Sequence, residues 1–205
     1  MKIAIIGAGN VGSALAKGWA KAGHTIILGV RNPQDKKITS LLADSPNITA
    51  KSTQSAAWEA EVIVIALPIG SVVDVAKSMG NLHDKIIVDA TNAVFQKPEP
   101  YANTVEAVKA LTRCRQVVKC FNSTGFENMA NPKYGKIGID MFIAGESEAG
   151  KRVVKSLAKD LGFAECYDFG GDDKIALLEQ FAMSWINLAI LQKQGRNIAF
   201  KILKR

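Results

Sequence analysis

A doubly wound, mostly parallel α/β sheet is the fold that this 205-residue sequence predicts. The chain begins with a short, mostly β-branched apolar run at residues 3–6, which is typical of a parallel strand buried on both faces. Three glycines follow at once, Gly7, Gly9 and Gly12, and an apolar period of about 3.6 residues then indicates a helix. Beyond this unit, strand-like and helix-like segments alternate through residue 122, as a doubly wound sheet requires.

Apolar runs and their flanking turn residues place the elements in order. Strands are predicted at residues 2–6, 25–31, 47–52, 61–67, 85–91, 116–122, 140–146 and 163–169. Helices are predicted at residues 10–22, 33–43, 53–59, 103–112, 148–160 and 172–194, the last resuming after Gly195 to Arg205. Residues 121–138, rich in Gly, Asn and Pro, are predicted to form a loop or broken helix, and long loops of this kind are often functional. We expect residues 1–122 to be the dinucleotide-binding core and residues 123–205 an extension that completes the same unit.

The three glycines predict a turn that binds a pyrophosphate. Gly7 permits the tight turn, Gly9 lets the backbone approach the phosphates, and Gly12 lets the helix pack close to the strand. The amide groups of the first helical turn and the helix dipole can then hold the phosphates without a charged side chain. The alternative is a glycine-rich turn between a strand and a helix that binds nothing.

The end of the second predicted strand bears on which dinucleotide is bound. NAD-binding folds normally carry an Asp or Glu about 20 residues past the glycines, where it contacts the ribose. Here that place is taken by Val30, Arg31 and Asn32. A carboxylate would repel a 2′-phosphate, whereas a guanidinium can bind it through two N–H groups. We therefore predict NADP as the cofactor; the alternative is that Arg31 is a surface residue and Asp35 contacts the ribose of NAD.

Composition argues against several other classes of protein. The formal net charge of +7 suits an anionic ligand or a solvated basic surface, and no basic cluster interleaved with aromatic residues indicates nucleic acid binding. No apolar run is recognised as a bilayer span, and the first strand begins at residue 2, so neither membrane insertion nor a cleaved leader is expected. Cys114, Cys120 and Cys166 are odd in number and lack C-x-x-C spacing. This pattern is typical of reduced thiols that form neither disulfides nor a metal site. These observations favour a cytoplasmic protein.

Side chains for nucleophilic, acid–base or metal chemistry are not apparent in the sequence. His24 and His83 have no partner at ligand or triad spacing and are predicted to lie at the surface. The lysines are scattered, and none lies in a recognisable catalytic motif. We therefore predict no catalytic side chain and no metal site, so that in an enzyme of this kind the cofactor carries the reaction and the protein orients it.

The helix predicted from residue 172 carries apolar residues on more than one face, including Leu177, Phe181, Trp185 and Leu188. A helix that is apolar all round needs burial on several sides. It therefore predicts a homodimer contact or the wall of a pocket, and packing on its own sheet alone is the alternative.

Several motifs together resemble a known family. Besides the glycine loop, these are LGVRN at 28–32, ALP at 66–68, DATN at 89–92 and, above all, VVKCFNSTGFENMANP at 117–132. They are similar to NADP oxidoreductases that depend on a deazaflavin coenzyme, F420, and to the flavin-reducing cytosolic portion of the STEAP-type metalloreductases. The resemblance covers nearly the whole chain. It implies direct hydride transfer between C4 of the nicotinamide and a stacked flavin or deazaflavin ring, for which no acid or base side chain is required.

Matched position by position, the resemblance implies four groups of binding residues. For the pyrophosphate these are Gly7, Gly9, Asn10, Val11 and Gly12. For the 2′-phosphate they are Arg31, Asn32 and Lys36. Leu67, Pro68 and Asn92 are expected to border the nicotinamide ribose. Asn122, Thr124 and Met129 are expected to face the electron acceptor; the alternative for this trio is loop structure, with Asn122 and Thr124 capping a helix and Met129 filling core.

The chain departs from that family at two places. Members often carry a hydroxyl residue where Val30 stands, and a histidine-containing segment where residues 120–122 stand. The first departure removes one phosphate contact, and the second leaves the identity of the acceptor open.

Two other functions remain compatible with the sequence. Reductases of a small imine or oxo-acid, such as pyrroline-5-carboxylate reductases and β-hydroxyacid dehydrogenases, share the first half of the fold. The β-hydroxyacid enzymes need a catalytic lysine in a glycine-rich helix motif, and no such motif stands between residues 120 and 180. A non-catalytic NADP-binding sensor fits the lack of catalytic side chains, but it would not obviously need the elaborate segment at 121–138.

Overall fold

The computed structural model describes residues 1–93 and 95–205. Its strands are β1 (Lys2–Ile6), β2 (Thr25–Gly29), β3 (Ile48–Lys51), β4 (Val62–Ile65), β5 (Ile86–Asp89), β6 (Gln116–Cys120), β7 (Lys133–Tyr134), β8 (Ile137–Gly138), β9 (Met141–Ala144) and β10 (Cys166–Asp168). Its α-helices are α1 (Asn10–Lys21), α2 (Lys36–Ala43), α3 (Thr53–Glu59), α4 (Ile69–Met79), α5 (Thr104–Thr112), α6 (Phe126–Ala130), α7 (Glu148–Asp160) and α8 (Ile175–Ile186). A 3₁₀ turn at Asp172–Lys174 precedes α8, and a π-helical turn at Asn187–Leu191 follows it.

Eight of the described strands form one sheet in the order β3-β2-β1-β4-β5-β6-β9-β10. Neighbouring strands are parallel except for β6 and β9, which run antiparallel. This arrangement confirms the predicted fold class. Strands β9 and β10 come from residues 123–205 and extend the sheet of the first six strands, while the division of the chain at residue 122 stays a prediction.

The central strands are apolar throughout because both faces of the sheet are covered. Alternate residues of β1 point to opposite sides, so that Ile3 and Ile5 join one buried cluster while Ala4 and Ile6 join the other. On the first side Trp19 of α1 is fully buried, and its indole N–H donates to the carbonyl oxygen of Leu157 at 2.9 Å. That bond ties α1 to α7, one helix from each predicted segment of the chain.

Strand β1 lies between β2 and β4. The chain first adds β2 and β3 on one side of β1 and then crosses to add β4 on its other side. In open parallel sheets a crevice forms at such a switch point, outside the carboxyl ends of the strands, and ligands bind there. The topology therefore places the candidate site at the ends of β1, β2 and β4.

The prediction that the helix resumes after Gly195 is wrong. Residues 197–205 have no regular secondary structure. Lys193 and Gly195 both have positive φ, 56° and 86°, which turns the chain back on itself. The carbonyl oxygen of Ile198 then accepts hydrogen bonds from Trp185 at 2.7 Å and from Asn128 at 2.8 Å. Side chains of distant residues thus occupy the Ile198 carbonyl oxygen, which in a continued helix would accept a backbone amide of the next turn.

The segment at 121–138 is more ordered than a loop. It contains the short helix α6 and an antiparallel hairpin made by β7 and β8. Each hairpin strand is two residues long, which is too short to show an alternating pattern in the sequence.

His24 is a second correction, because it is 9 % exposed and was predicted at the surface. Its Nε2 lies 3.0 Å from Asp160 Oδ2, and its Nδ1 lies 3.3 Å from the N-terminal amine. The partner carboxylate stands 136 residues away, so no local spacing could reveal the pair. His83 is exposed, as predicted.

The apolar C-terminal helix differs from expectation in one respect. The segment Asp172–Leu191, 20 residues with a mean hydropathy of 1.3, has the length and composition of a membrane span, although no such run was predicted from the sequence. Core helices of globular proteins meet the same criteria, and Leu178, Ala182 and Trp185 are buried against the rest of the chain. The opposite face is open, with Leu177 and Leu191 each more than half exposed.

Candidate functional site

The turn after β1 has room only for glycine at two positions. Gly7 has φ +104°, and a Cβ there would lie 2.4 Å from the carbonyl oxygen of Ala66. A Cβ at Gly12 would lie 2.0 Å from the carbonyl oxygen of Gly7. Real Cβ atoms do not approach backbone so closely, and the left-handed φ at Gly7 further disfavours any side chain. The two glycines therefore set the turn and the contact between α1 and β1, as predicted from their spacing.

Gly9 plays a different part, because a Cβ at this residue would project into open space with no described atom within 4 Å. Gly9 is also the residue before α1, and among the described residues no side chain caps that end of the helix. The first amide groups of a helix lack partners within the helix and carry its positive dipole end. The space in front of Gly9 is therefore suited to an anionic group such as a pyrophosphate.

A cleft of about 750 Å³ opens at this point, between the ends of β1, β2 and β4. Six of the residues predicted to hold the cofactor line it, namely Gly7, Gly9, Arg31, Asn32, Leu67 and Pro68. Asp35, the alternative ribose contact, also lines it, as do residues that were not predicted, among them Lys37, Thr53, Ser71 and Asp74. They come from the starts of α2, α3 and α4, which converge on this edge only in the folded chain.

Two lysines lie at the start of α2, next to the cleft. Asp35 precedes the helix, and its Oδ1 accepts the amide of Lys37 at 2.8 Å, so this carboxylate caps α2. Lys36 and Lys37 are the first two residues of the helix, about 100° apart around its axis. Lys37 lines the cleft, whereas Lys36 is not among the lining residues. The family resemblance implies Lys36, but which of two adjacent lysines faces the cleft depends on where the helix begins, and the sequence alone does not fix that start.

Two predicted residues from different groups contact each other beyond the ends of β5 and β6. The side-chain amide of Asn92 donates to the carbonyl oxygen of Asn122 at 3.1 Å, and that of Asn122 donates to Asn92 Oδ1 at 3.3 Å. Asn122 is 3 % exposed, and its Oδ1 has no hydrogen-bond partner among the described residues. A buried acceptor without a donor is costly, so this oxygen marks a place where a ligand donor would be stabilising.

Thr124 and Met129, the other residues predicted to face an acceptor, are covered in this structure. Thr124 Oγ1 accepts a hydrogen bond from Asn128 at 2.7 Å, and Tyr134 donates to the other end of the Asn128 amide at 2.7 Å. Met129 is 1 % exposed and belongs to the main core cluster. Helix α6 begins after Gly125, and neither Thr124 nor Asn122 caps it. Their contact with a ligand stays a prediction.

Lys119 forms a buried ionic cluster that the sequence does not predict. The lysine and Asp89 are fully buried, with Lys119 Nζ 2.8 Å from Asp89 Oδ2 and 2.9 Å from Glu179 Oε1. Lys119 Nζ also donates to the carbonyl oxygen of Thr91 at 3.1 Å. Burial opposes the positive charge, but the carboxylates of Asp89 and Glu179 outweigh it and raise the pKa of Lys119. The three ionic residues are far apart in the chain, so only the fold reveals the cluster.

Residues 2–93 match the family model described as NADP oxidoreductase, coenzyme F420-dependent. The F420-dependent NADP reductase of Methanocaldococcus jannaschii is 27 % identical, and the match covers 94 % of each chain. Rat metalloreductase STEAP3 is 26 % identical over 79 % of this chain and 32 % of its own length.

Solved structures agree with these relatives. A candidate F420-dependent NADP reductase from Arthrobacter sp. FB24 superposes with a TM-score of 0.84 at 25 % identity over the whole of both chains. An imine reductase from Streptomyces aurantiacus gives a TM-score of 0.71 at 17 % identity, covering 94 % of this chain and 64 % of the other, which shows a shared fold. The open space at Gly9 and the lining of the cleft fit a phosphorylated dinucleotide. The comparisons support an NADP-dependent oxidoreductase, and residues 2–93, just under half of the chain, are similar to the family of coenzyme F420-dependent NADP oxidoreductases.

Proposed function

We propose that the protein transfers a hydride between the nicotinamide of NADP and a flavin or deazaflavin acceptor. The extent of the reductase match carries this proposal. The alignment with the M. jannaschii reductase covers 94 % of both chains, well beyond the dinucleotide-binding half. The imine reductases, by contrast, are matched over only about two thirds of their own lengths.

The phosphate groups of the cofactor are assigned to the first half of the chain. Gly7, Gly9 and Gly12 shape the turn, and the amides of Asn10 and Val11 face the pyrophosphate at the start of α1. The 2′-phosphate is assigned to the basic end of the cleft, whose candidates are Arg31, Asn32, Lys36 and Lys37. Bound NADPH supplies the hydride, and these residues fix the ring that donates it.

The nicotinamide and the acceptor are assigned to the wall that follows β4, β5 and β6. Leu67 and Pro68 border the nicotinamide ribose together with Asn92, and Asn122, Thr124 and Met129 form the acceptor side. Asn122 brings the unpaired oxygen to this wall, while Thr124 and Met129 are buried within the same segment. Hydride transfer between two carbon atoms needs no proton donor. Lys119 is the nearby ammonium, but Asp89 and Glu179 hold it in the interior.

We also propose that the protein works in the cytoplasm as a homodimer. The exposed large apolar side chains of the C-terminal helical segment, Asp172–Leu191, are Leu177 near its start and Leu188, Ile190 and Leu191 near its end. A second copy would cover them, because exposed apolar patches commonly mark such contacts. Sedimentation equilibrium measures this directly, and a monomer at all concentrations would contradict it.

A panel of acceptors tests the reaction. NADPH oxidation is followed with FMN, FAD, riboflavin, a deazaflavin and pyrroline-5-carboxylate. Turnover with a flavin or deazaflavin is expected. Turnover with the imine alone would overturn the proposal in favour of an imine reductase. Tight NADPH binding without turnover on any acceptor would favour a sensor.

Arg31→Asp tests the assignment of the 2′-phosphate. The change replaces an attractive guanidinium with a repelling carboxylate, so NADPH affinity is expected to fall about 100-fold. NADH lacks the 2′-phosphate, and its affinity should change less than about threefold. Titration calorimetry with both cofactors measures the difference, and equal losses would refute the role of Arg31.

Lys36→Ala and Lys37→Ala form a matched pair on the same turn of α2. Lys37 lines the cleft, so its loss is expected to weaken NADPH about three- to tenfold, as for one surface ion pair to a phosphate. Lys36→Ala tests the sequence-based assignment in the same titration. A larger loss for Lys36 than for Lys37 would return the phosphate contact to Lys36.

A further inference from the structure

The ionic cluster beneath the ends of β5 and β6 is unbalanced. It holds one ammonium, Lys119, and two carboxylates, Asp89 and Glu179, so its formal charge is −1. Lys119 and Asp89 are fully buried, and the Glu179 side chain is 12 % exposed. Burying a charge without a partner is costly, so an uncompensated carboxylate in such a place needs a physical reason.

Two buried acceptor oxygens lack a hydrogen-bond donor among the described residues, one in this cluster and one on Asn122. Glu179 Oε1 lies 2.9 Å from Lys119 Nζ but outside hydrogen-bond geometry, and Asn122 Oδ1 is also unpaired. Across residues 1–93 and 95–205 these are the two buried side-chain atoms that lack a hydrogen-bond partner. Asn122 Oδ1 therefore lacks a donor, whereas Glu179 Oε1 has only the ammonium of Lys119, which it shares with Asp89.

The cluster is joined directly to the wall assigned to the nicotinamide. Asp89 accepts the amide of Thr91 at 3.0 Å, and Lys119 donates to the carbonyl oxygen of Thr91 at 3.1 Å. The next residue is Asn92, which forms the two hydrogen bonds with Asn122. The excess carboxylate is close to the same peptide unit, because Glu179 Oε1 and the carbonyl oxygen of Thr91 lie 2.9 and 3.1 Å from the same Lys119 Nζ. It is therefore within about 6 Å of that carbonyl group and roughly 10 Å from the side chain of Asn92.

We infer that this cluster, through the charge of Glu179, makes the site bind the cationic ring of NADP⁺ better than the neutral ring of NADPH. The inference rests on the proposed function for the position of the ring. When a hydride leaves C4 with both electrons of its bond and joins the acceptor, the ring is left with one positive charge. A fixed carboxylate behind the wall stabilises that charge, since a poorly solvated region screens it weakly. Glu179 thus favours NADPH as the hydride donor.

Glu179→Gln tests this inference because it removes the charge and keeps the shape of the side chain. The affinity for NADP⁺ is expected to fall about tenfold relative to that for NADPH, the effect of one charge at roughly 10 Å in a medium of effective dielectric constant about 20. Titration calorimetry with each cofactor gives the ratio. Glu179→Asp keeps the charge and should largely restore the ratio. Glu61→Gln is the control, because Glu61 is an exposed carboxylate at the amino end of β4, whereas the cofactor site lies at the carboxyl ends of the strands.

Equal changes in the two affinities, or no change in a folded Glu179→Gln protein, would overturn the inference. The cluster would then serve only to hold α8 against the sheet. Thermal unfolding reports whether each variant is folded. Should Glu179→Gln not fold, Glu179→Ala removes the same charge while admitting water, and an unchanged ratio there also overturns the inference. Failure of the wild-type protein to bind either cofactor would instead refute the proposed function.

Discussion

Gly9→Ala is expected to fold like the wild-type protein and to bind NADPH about 100-fold more weakly. The added methyl group meets no described atom within 4 Å, and φ of −70° is ordinary for alanine. Alanine is a poorer residue than glycine before a helix but restricts the unfolded chain, so the free energy of unfolding should change by less than about 1 kcal/mol. The methyl group occupies the space into which the first amides of α1 point. Losing two hydrogen bonds to a charged phosphate costs about 3 kcal/mol, which corresponds to that loss of affinity.

Titration calorimetry with NADPH and thermal unfolding together check the Gly9 prediction. Adenosine 2′-monophosphate is the ligand control, because it lacks the pyrophosphate and should bind both proteins alike. Gly12→Ala is the matched variant, since its methyl group would lie 2.0 Å from the carbonyl oxygen of Gly7. That variant should lose stability as well as binding. Unchanged NADPH affinity in Gly9→Ala would mean that the pyrophosphate lies elsewhere.

Lys119→Met is expected to lower the free energy of unfolding by about 3–5 kcal/mol. The substitution leaves the carboxylates of Asp89 and Glu179 in the interior without their ammonium, and breaking one partner of a buried ion pair typically costs this much. Methionine has a similar length, so lost packing contributes little. For a chain of this size the midpoint of thermal unfolding should fall by roughly 10 °C. Differential scanning calorimetry measures it.

Lys51→Met provides the comparison for Lys119→Met. Lys51 pairs with Glu59 at 2.5 Å, but its side chain is 41 % exposed, and such surface pairs contribute little to stability. The same Lys-to-Met change should therefore shift the midpoint by only about 2 °C. Similar shifts in the two variants would mean that the buried cluster does not stabilise the fold.

The ends of the strands show where sequence patterns stop being informative. Five strands were predicted to run two residues past their observed carboxyl ends, through Arg31, Leu67, Thr91, Asn122 and Glu146. Most of the overrun residues of the first four are apolar or β-branched like the strands themselves, but their backbone leaves the sheet to build the cleft and its wall. Phe121 shows the break most clearly, because it is a buried aromatic residue with φ of 60°, a conformation that no residue pattern predicts.

By itself, the sequence determined the β1–glycine turn–α1 unit, the alternation of strands and helices, and the preference for NADP implied by Arg31. These features depend on residues close together in the chain, where spacing and backbone freedom act directly. Only the tertiary structure decided which lysine of α2 lines the cleft. It also decided that Asn92 and Asn122 form two hydrogen bonds with each other and that two carboxylates hold Lys119. Those partners are up to 60 positions apart in the chain, so their distances exist only once the sheet and α8 are assembled.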